Sequence, residues 1–179
     1  YKLSLSNIYD QPPEGDISVE AVTGTAMLID REKLKEIEDW DTKIFNYFED
    51  MDLCLRLRFK GYEIIKIRDA EVDHDPFASH DNNFEEKMNF SRNWHYSWSS
   101  LYFLKKHTNF FTAFFHGIKI LFGSSLKFLI YLAFNKKKSI THFAKAYGML
   151  FSILNIKPSY RPKIKIWKIY KKFALHWLN

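Results

Sequence analysis

Carboxylates cluster in the first half of the sequence in a pattern that invites chemistry. Asp39-Trp40-Asp41, Asp50-Met51-Asp52 and Asp73-His74-Asp75 each set two acidic groups two residues apart, and Glu49 stands directly before the middle pair. A carboxylate can take a proton from an attacking hydroxyl, and carboxylates with a histidine can hold a hard divalent cation. A plainer role is also open. Glu49, Asp50 and Asp52 at the head of a helix would accept from its first free amides and gain from its dipole. A second group of candidates lies in Ser91-Arg92-Asn93-Trp94-His95-Tyr96. Arg92 offers a fork of donors to phosphate oxygens and His95 falls close by, while Trp94 and Trp98 read as aromatic packing.

These groups need elements to hold them. Turn residues Pro12, Pro13 and Gly15 open the chain as a loop. Residues 18 to 29, with Val19, Val22, Met27, Leu28 and Ile29, predict a buried strand broken at Gly24, where a missing side chain allows another group to approach closely. Asp30 is placed to cap a short helix from Arg31 to Glu38. Phe48, Met51, Cys54, Leu55 and Arg58 recur at helical spacing and Gly61 supplies a left-handed stop, which predicts a helix over 48–60. Tyr62 to Ile67 and Ala70 to His74 have strand composition, so loop, helix and strand would bring Asp50 and His74 within reach of one another.

Charge divides the chain. All 21 Asp and Glu residues stand at or before Glu86, while 17 of the 27 Lys and Arg residues stand after it. This split predicts two parts, residues 1–86 and residues 87–179, with different partners. The second part is aromatic, basic and free of strand alternation, and is expected to be helical. In it His116, Lys119, Gly123 and Lys127 make a narrow stripe on a helix otherwise rich in Phe, Leu and Ile. The lysines interrupt the apolar run, so an in-plane helix on an anionic membrane surface is expected, its lysines reaching the phosphates. Burial inside a larger assembly is the alternative. Nucleic acid is disfavoured as a partner because the aromatics sit within aliphatic runs that suit lipid better than bases. Cys54 is the only cysteine, which excludes a disulfide within the chain and fits a reducing compartment.

The order Trp40-Asp41, Phe45, Tyr47-Phe48-Glu49-Asp50-Met51-Asp52-Leu53 with Arg56, Gly61-Tyr62, Val72-Asp73-His74 and Ser79 resembles the rhamnosyltransferase-like branch of family 2 glycosyltransferases. Gly24-Thr25-Ala26-Met27-Leu28 is similar to a strand of the same family. Trp40 departs from the pattern, which usually has Phe there, and Arg56 departs slightly in spacing; the carboxylates are untouched. The resemblance implies an α/β fold: the C-terminal, acceptor-side half of a GT-A glycosyltransferase domain, followed by a basic helical region. It implies Asp50 as the base, with Glu49 beside it. Gly24, Thr25, Trp40, Asp41, Asp52, Arg56, Ser79, Arg92 and His95 become candidates for donor or acceptor binding. His74 becomes a ligand for Mg²⁺ or Mn²⁺.

The same resemblance implies sugar transfer with inversion, from a nucleotide-sugar donor to a saccharide or lipid-linked acceptor, in cell-surface polysaccharide synthesis. Rhamnose is the family-weighted sugar. The place would be the cytoplasmic face of a bacterial inner membrane, or the cytoplasm. No Gly-rich phosphate loop and no βαβ alternation appear, so the nucleotide-binding half is expected to precede Tyr1, and the chain to be inactive without it. A non-catalytic membrane adaptor and a basic nucleic-acid-binding module are the competing readings.

Overall fold

The computed structural model describes residues 15–74 and 84–161. These divide into two compact units. One runs to Thr42 and resumes at Phe48; the other holds the loop Lys43–Tyr47 together with the later helices.

The first unit is built from short pieces. Strand β1 (Ile17–Val19) pairs antiparallel with β2 (Ile64–Lys66), Ile17 opposite Lys66, and helices α1 (Arg31–Glu36) and α2 (Glu49–Phe59) lie between them in sequence. Asp30 caps α1 as expected, its carboxylate accepting from the Glu32 and Lys33 amides. Helix α2 ends as its sequence predicts: Gly61 takes φ +88°, its amide donates to the Arg58 carbonyl, and Tyr62 N–H donates to the Leu57 carbonyl. Ile37, Leu53 and Leu57 form the core, with Met27, Ile29, Leu34, Tyr62 and Ile64 against it.

The strand expectations need correction. The long strand over 18–29 is only the three residues of β1, and Leu28 is fully exposed. A strand requires a ladder for its amides, and past Val19 the Gly24 amide goes to a side chain instead. Residues 70–74 form no strand; they are exposed and have no ladder partner among the described residues. With a single two-stranded sheet and five helices among the described residues, the fold is mostly helical, and the expected α/β class is supported only loosely.

The second unit is three long helices: α3 (Glu85–His107), α4 (Phe110–Phe134) and α5 (Lys136–Ile153). The composition boundary after Glu86 falls inside the first turn of α3. Asparagines make both corners. Asn109 Oδ1 accepts from Thr112 N–H, and Asn135 Oδ1 from Lys138 N–H, so each corner is a ready N-cap. Helix α5 packs on both α3 and α4. Small residues let the backbones meet: Ala113, Gly117 and Ser124 are buried on α4, and Ser139, Ala144, Gly148 and Ser152 on α5. At Gly148 an added Cβ would stand 2.1 Å from the Trp94 carbonyl oxygen. Trp94, Trp98 and Ala144 form one core cluster, and Leu101, Ala113 and Met149 another.

The other side of α4 is apolar and uncovered, with Phe110, Phe111, Phe115, Phe122, Leu126 and Leu129 all exposed. By length and composition this helix can cross a membrane, and only 11% of its apolar window is buried. Lys119 and Lys127 therefore do not shorten it below a span, contrary to the expectation drawn from their spacing.

Candidate functional site

The head of α2 is where the sequence places its chemistry. Tyr47 and Phe48 precede it with φ 64° and 69°, the left-handed region that non-glycine residues seldom occupy. Phe48 is the N-cap yet offers no capping oxygen, so the first-turn amides must find acceptors elsewhere. Asp50 answers part of that demand: its Oδ1 accepts from Met51 N–H at 2.8 Å. Its Oδ2 accepts from Gly24 N–H at 2.9 Å, across 26 residues of sequence. The close approach anticipated at Gly24 is thus made by Asp50, and a Cβ at Gly24 would stand 3.6 Å from the Asp50 Cβ.

Glu49 is the less satisfied neighbour. It is half-buried, and its Oε2 is buried with no hydrogen-bond partner among the described residues. Burial pushes its carboxyl above the usual range and the Asp50 charge adds to this, against the opposing pull of its own backbone amide. Two adjacent carboxyls in different settings result. Asp50 is fixed by two amides, each of its oxygens keeping a further lone pair, while Glu49 holds its proton more tightly than an exposed glutamate.

Asp52 and Arg56 serve the framework. Asp52 is completely buried, and Arg56 Nε donates to its Oδ2 at 2.8 Å. The Arg56 guanidinium also donates to the Ile37 carbonyl, tying α2 to the end of α1. Asp52 has no exposed surface, whereas Arg56 keeps a small exposed part. Thr25 is exposed and exchanges a hydroxyl contact with Thr23; Trp40 is exposed and Asp41 half-buried. Ser79 lies outside the described residues.

His74 is exposed on a stretch without regular structure, not at a strand end. Among the described residues no three of His, Cys, Asp and Glu gather as ligands.

In the helical unit, His95 is completely buried. Its Nε2 donates to the Tyr160 carbonyl at 2.9 Å, and its ring lies against Phe45 and Trp94. Burial holds its pKa below the usual histidine value. The side chain expected to meet a phosphate thus has no exposed surface. Its signal in the sequence was its place on the inward face with Trp94 and Trp98. Arg92 is half-buried on the same helix. Phe45, named above only as part of the resemblance pattern, carries the Arg161 guanidinium at 3.3 Å from its ring centre, and Ser99, which sequence reasoning missed, donates its hydroxyl to the Asn46 carbonyl. Both contacts fasten the loop Lys43–Tyr47 to α3 and to the chain beyond α5.

Residues 15–99 match the model of a family described as glycosyltransferase like family 2, a span that covers just under half of the chain and includes Gly24, Glu49 and Asp50. No curated protein and no solved structure matches the chain. The chain is thus similar, over this span, to enzymes that move a sugar from a nucleotide donor to an acceptor, and family 2 enzymes of the GT-A type commonly use a divalent cation.

Proposed function

We propose that this chain carries the acceptor-side, base-bearing part of an inverting glycosyltransferase. The observation that carries the reading is the head of α2 within the matched span: a carboxylate, Asp50, locked by the Gly24 and Met51 amides beside the half-buried Glu49. An acceptor hydroxyl oxygen attacks the anomeric carbon of the nucleotide sugar, the bond from that carbon to the nucleoside diphosphate breaks, and Asp50 takes the hydroxyl proton. The amides hold Asp50 in one orientation, so no reorganisation is needed when the proton moves. Glu49 sits one residue away and sets the local charge. The donor is a nucleotide sugar, with rhamnose as the sugar the sequence pattern favours. A saccharide or lipid-linked saccharide is the acceptor, and cell-surface polysaccharide synthesis is the setting.

Mg²⁺ or Mn²⁺ belongs to the same reading, since a cation would offset the charge on the departing diphosphate. His74 is the ligand assigned to it, and the described residues supply no complete set. The uncovered Phe and Leu face of α4, in a stretch without one carboxylate after Glu86, supports attachment to the cytoplasmic face of a membrane.

A transfer assay with nucleotide-sugar donors and a lipid-linked saccharide tests the chemistry. Asp50→Asn is expected to lower turnover by roughly 10²- to 10⁴-fold with donor affinity little changed. Near-normal turnover would reduce Asp50 to a loop-fastening residue.

A further inference from the structure

A groove of about 430 Å³ opens in the helical unit where α3, α4 and α5 converge. That volume lies within the range of small-ligand sites. Leu101, Phe114, Gly117, Ile118 and Ile153 line it, and among the described residues Lys105 is the one charged residue on its wall. Gly117 gives the groove its depth. A Cβ there would meet the Leu101 methyls at 3.5 Å and Ile153 Cγ1 at 3.8 Å, so a longer side chain would crowd these two lining residues and the groove they share with Gly117. Phe114 and Ile118 belong to both the groove lining and the exposed face of α4, so the groove opens onto the surface proposed to meet the membrane.

Lys105 is what distinguishes this groove from a packing defect. Its Nζ donates to the Ser152 carbonyl at 2.8 Å and to Asn155 Oδ1 at 3.0 Å. An ammonium has three N–H donors, so one remains after these two bonds among the described residues. Both partners are neutral, and no Asp or Glu occurs anywhere after Glu86, so no acidic side chain in this unit beyond the first turn of α3 offsets the charge. Lys105 is exposed overall; partial desolvation lowers its pKa, a direction that an anion at the groove would oppose. An apolar channel with a single cation on its wall is complementary to a hydrocarbon chain ending in a phosphate.

We propose that this groove binds one hydrocarbon chain of a lipid phosphate, the chain lying along Leu101, Gly117 and Ile153 and the phosphate reaching Lys105. The proposal rests on the membrane-facing reading and deepens it by naming the lipid class that this unit would hold. It differs from general membrane attachment in being saturable, one chain per protein, and dependent on Gly117.

Isothermal titration of the full chain with dodecyl phosphate, kept below its micelle-forming concentration, tests this beside dodecyl maltoside, a neutral molecule with the same tail. Dodecyl phosphate is expected to saturate at one per chain. Gly117→Leu should weaken it tenfold or more. Ile118→Gln, at a partly exposed position that tolerates a polar group, should weaken it similarly with helix content unchanged, and keeps the test valid if Gly117→Leu fails to fold. Lys105→Met should abolish the preference for phosphate over maltoside while leaving tail binding. Flotation of wild type and Gly117→Leu with vesicles of phosphatidylcholine and phosphatidylglycerol is read separately. Flotation retained by both while Gly117→Leu loses dodecyl phosphate is the expected result. Unsaturable titration, or variants that bind as wild type, overturns the groove proposal even if flotation persists. Failure to float with intact saturable binding overturns the membrane attachment and leaves the groove. A dimer in sedimentation that Gly117→Leu dissociates would make the groove an interface between two copies and also overturn the proposal.

Discussion

The two units reach order by opposite means. The first has elements of three to eleven residues, and what joins them is polar: Asp50 to Gly24, Arg56 to Asp52 and Ile37, Arg58 to the Val19 carbonyl, Tyr62 to Glu36, and the Arg68 amide to Asp16. Its apolar core is small. In the second unit the helices run 18 to 25 residues and are drawn together by glycine, alanine and serine seams around stacked aromatics. A short element buries too little surface to hold itself, so directed hydrogen bonds must fix its neighbours. Long helices bury enough, and their limit is how closely two backbones can approach. The unit fixed by directed bonds is the one that carries the candidate chemistry, where orientation of a carboxylate matters most.

Two substitutions separate these modes most sharply. Arg56→Met in the first unit leaves the completely buried Asp52 without its guanidinium partner and removes the tie to Ile37. Loss of one member of such a pair is expected to cost about 3 to 5 kcal/mol. Hydrogen exchange should show α2 amides losing protection before those of α3. In the second unit the corresponding change is Gly148→Ala, where the added Cβ meets the Trp94 carbonyl and forces α3 and α5 apart. About 2 to 3 kcal/mol is expected, with the exchange pattern reversed. If either variant loosened both units equally, the contrast between them would not hold.

Much of this was legible in the sequence, and the remainder was hidden for physical reasons. Asp30, the 48–60 periodicity and Gly61 gave α1 and α2 within a residue or two, because caps and left-handed stops are local signals. The absence of strand alternation after residue 86 gave a helical second unit for the same reason. Residues 20–29 were misread because Val22, Met27 and Ile29 look like a strand, whereas their amides are not all served by a ladder and Gly24 turns to Asp50. Pairing across 26 residues leaves no periodic trace. The burial of Asp52 and His95 and the ties of Arg56 were equally hidden: a charged or polar residue in a functional-looking run carries no mark of whether its partner is a substrate or the fold. Likewise the groove at Gly117 depends on three helices meeting, which no single segment encodes.

A smaller effect tests the left-handed stop. Gly61 has φ +88° and no atom within 4 Å of where a Cβ would go, so Gly61→Ala meets no clash and incurs only backbone strain. About 1 kcal/mol is expected, seen as a lower denaturation midpoint for the first unit with α3 protection unchanged. A larger loss would mean that the turn into β2 is a stricter part of the framework than its open surroundings suggest.

The smallest expected change carries the opposite sign. Glu49 has a folded pKa raised above the usual carboxyl value, chiefly by burial, and its Oε2 lacks a partner among the described residues. A raised folded pKa means that the native state prefers the protonated form. Its contribution to stability is therefore fully present below the unfolded pKa and is lost as pH rises through the folded one. At neutral pH the Glu49 carboxyl is therefore a burden on the fold. Glu49→Gln keeps the shape and removes that burden, so the denaturation midpoint should rise slightly at about pH 7, and the gain should vanish near about pH 4, where wild type is itself protonated. Sugar transfer should fall in the same variant, since the carboxyl next to Asp50 is lost. Stability gained where function is lost is the signature expected of a residue kept for chemistry. If Glu49→Gln were instead destabilising at neutral pH, its carboxylate would be part of the hydrogen-bonded framework, and the first unit would hold its chemistry and its fold with the same groups.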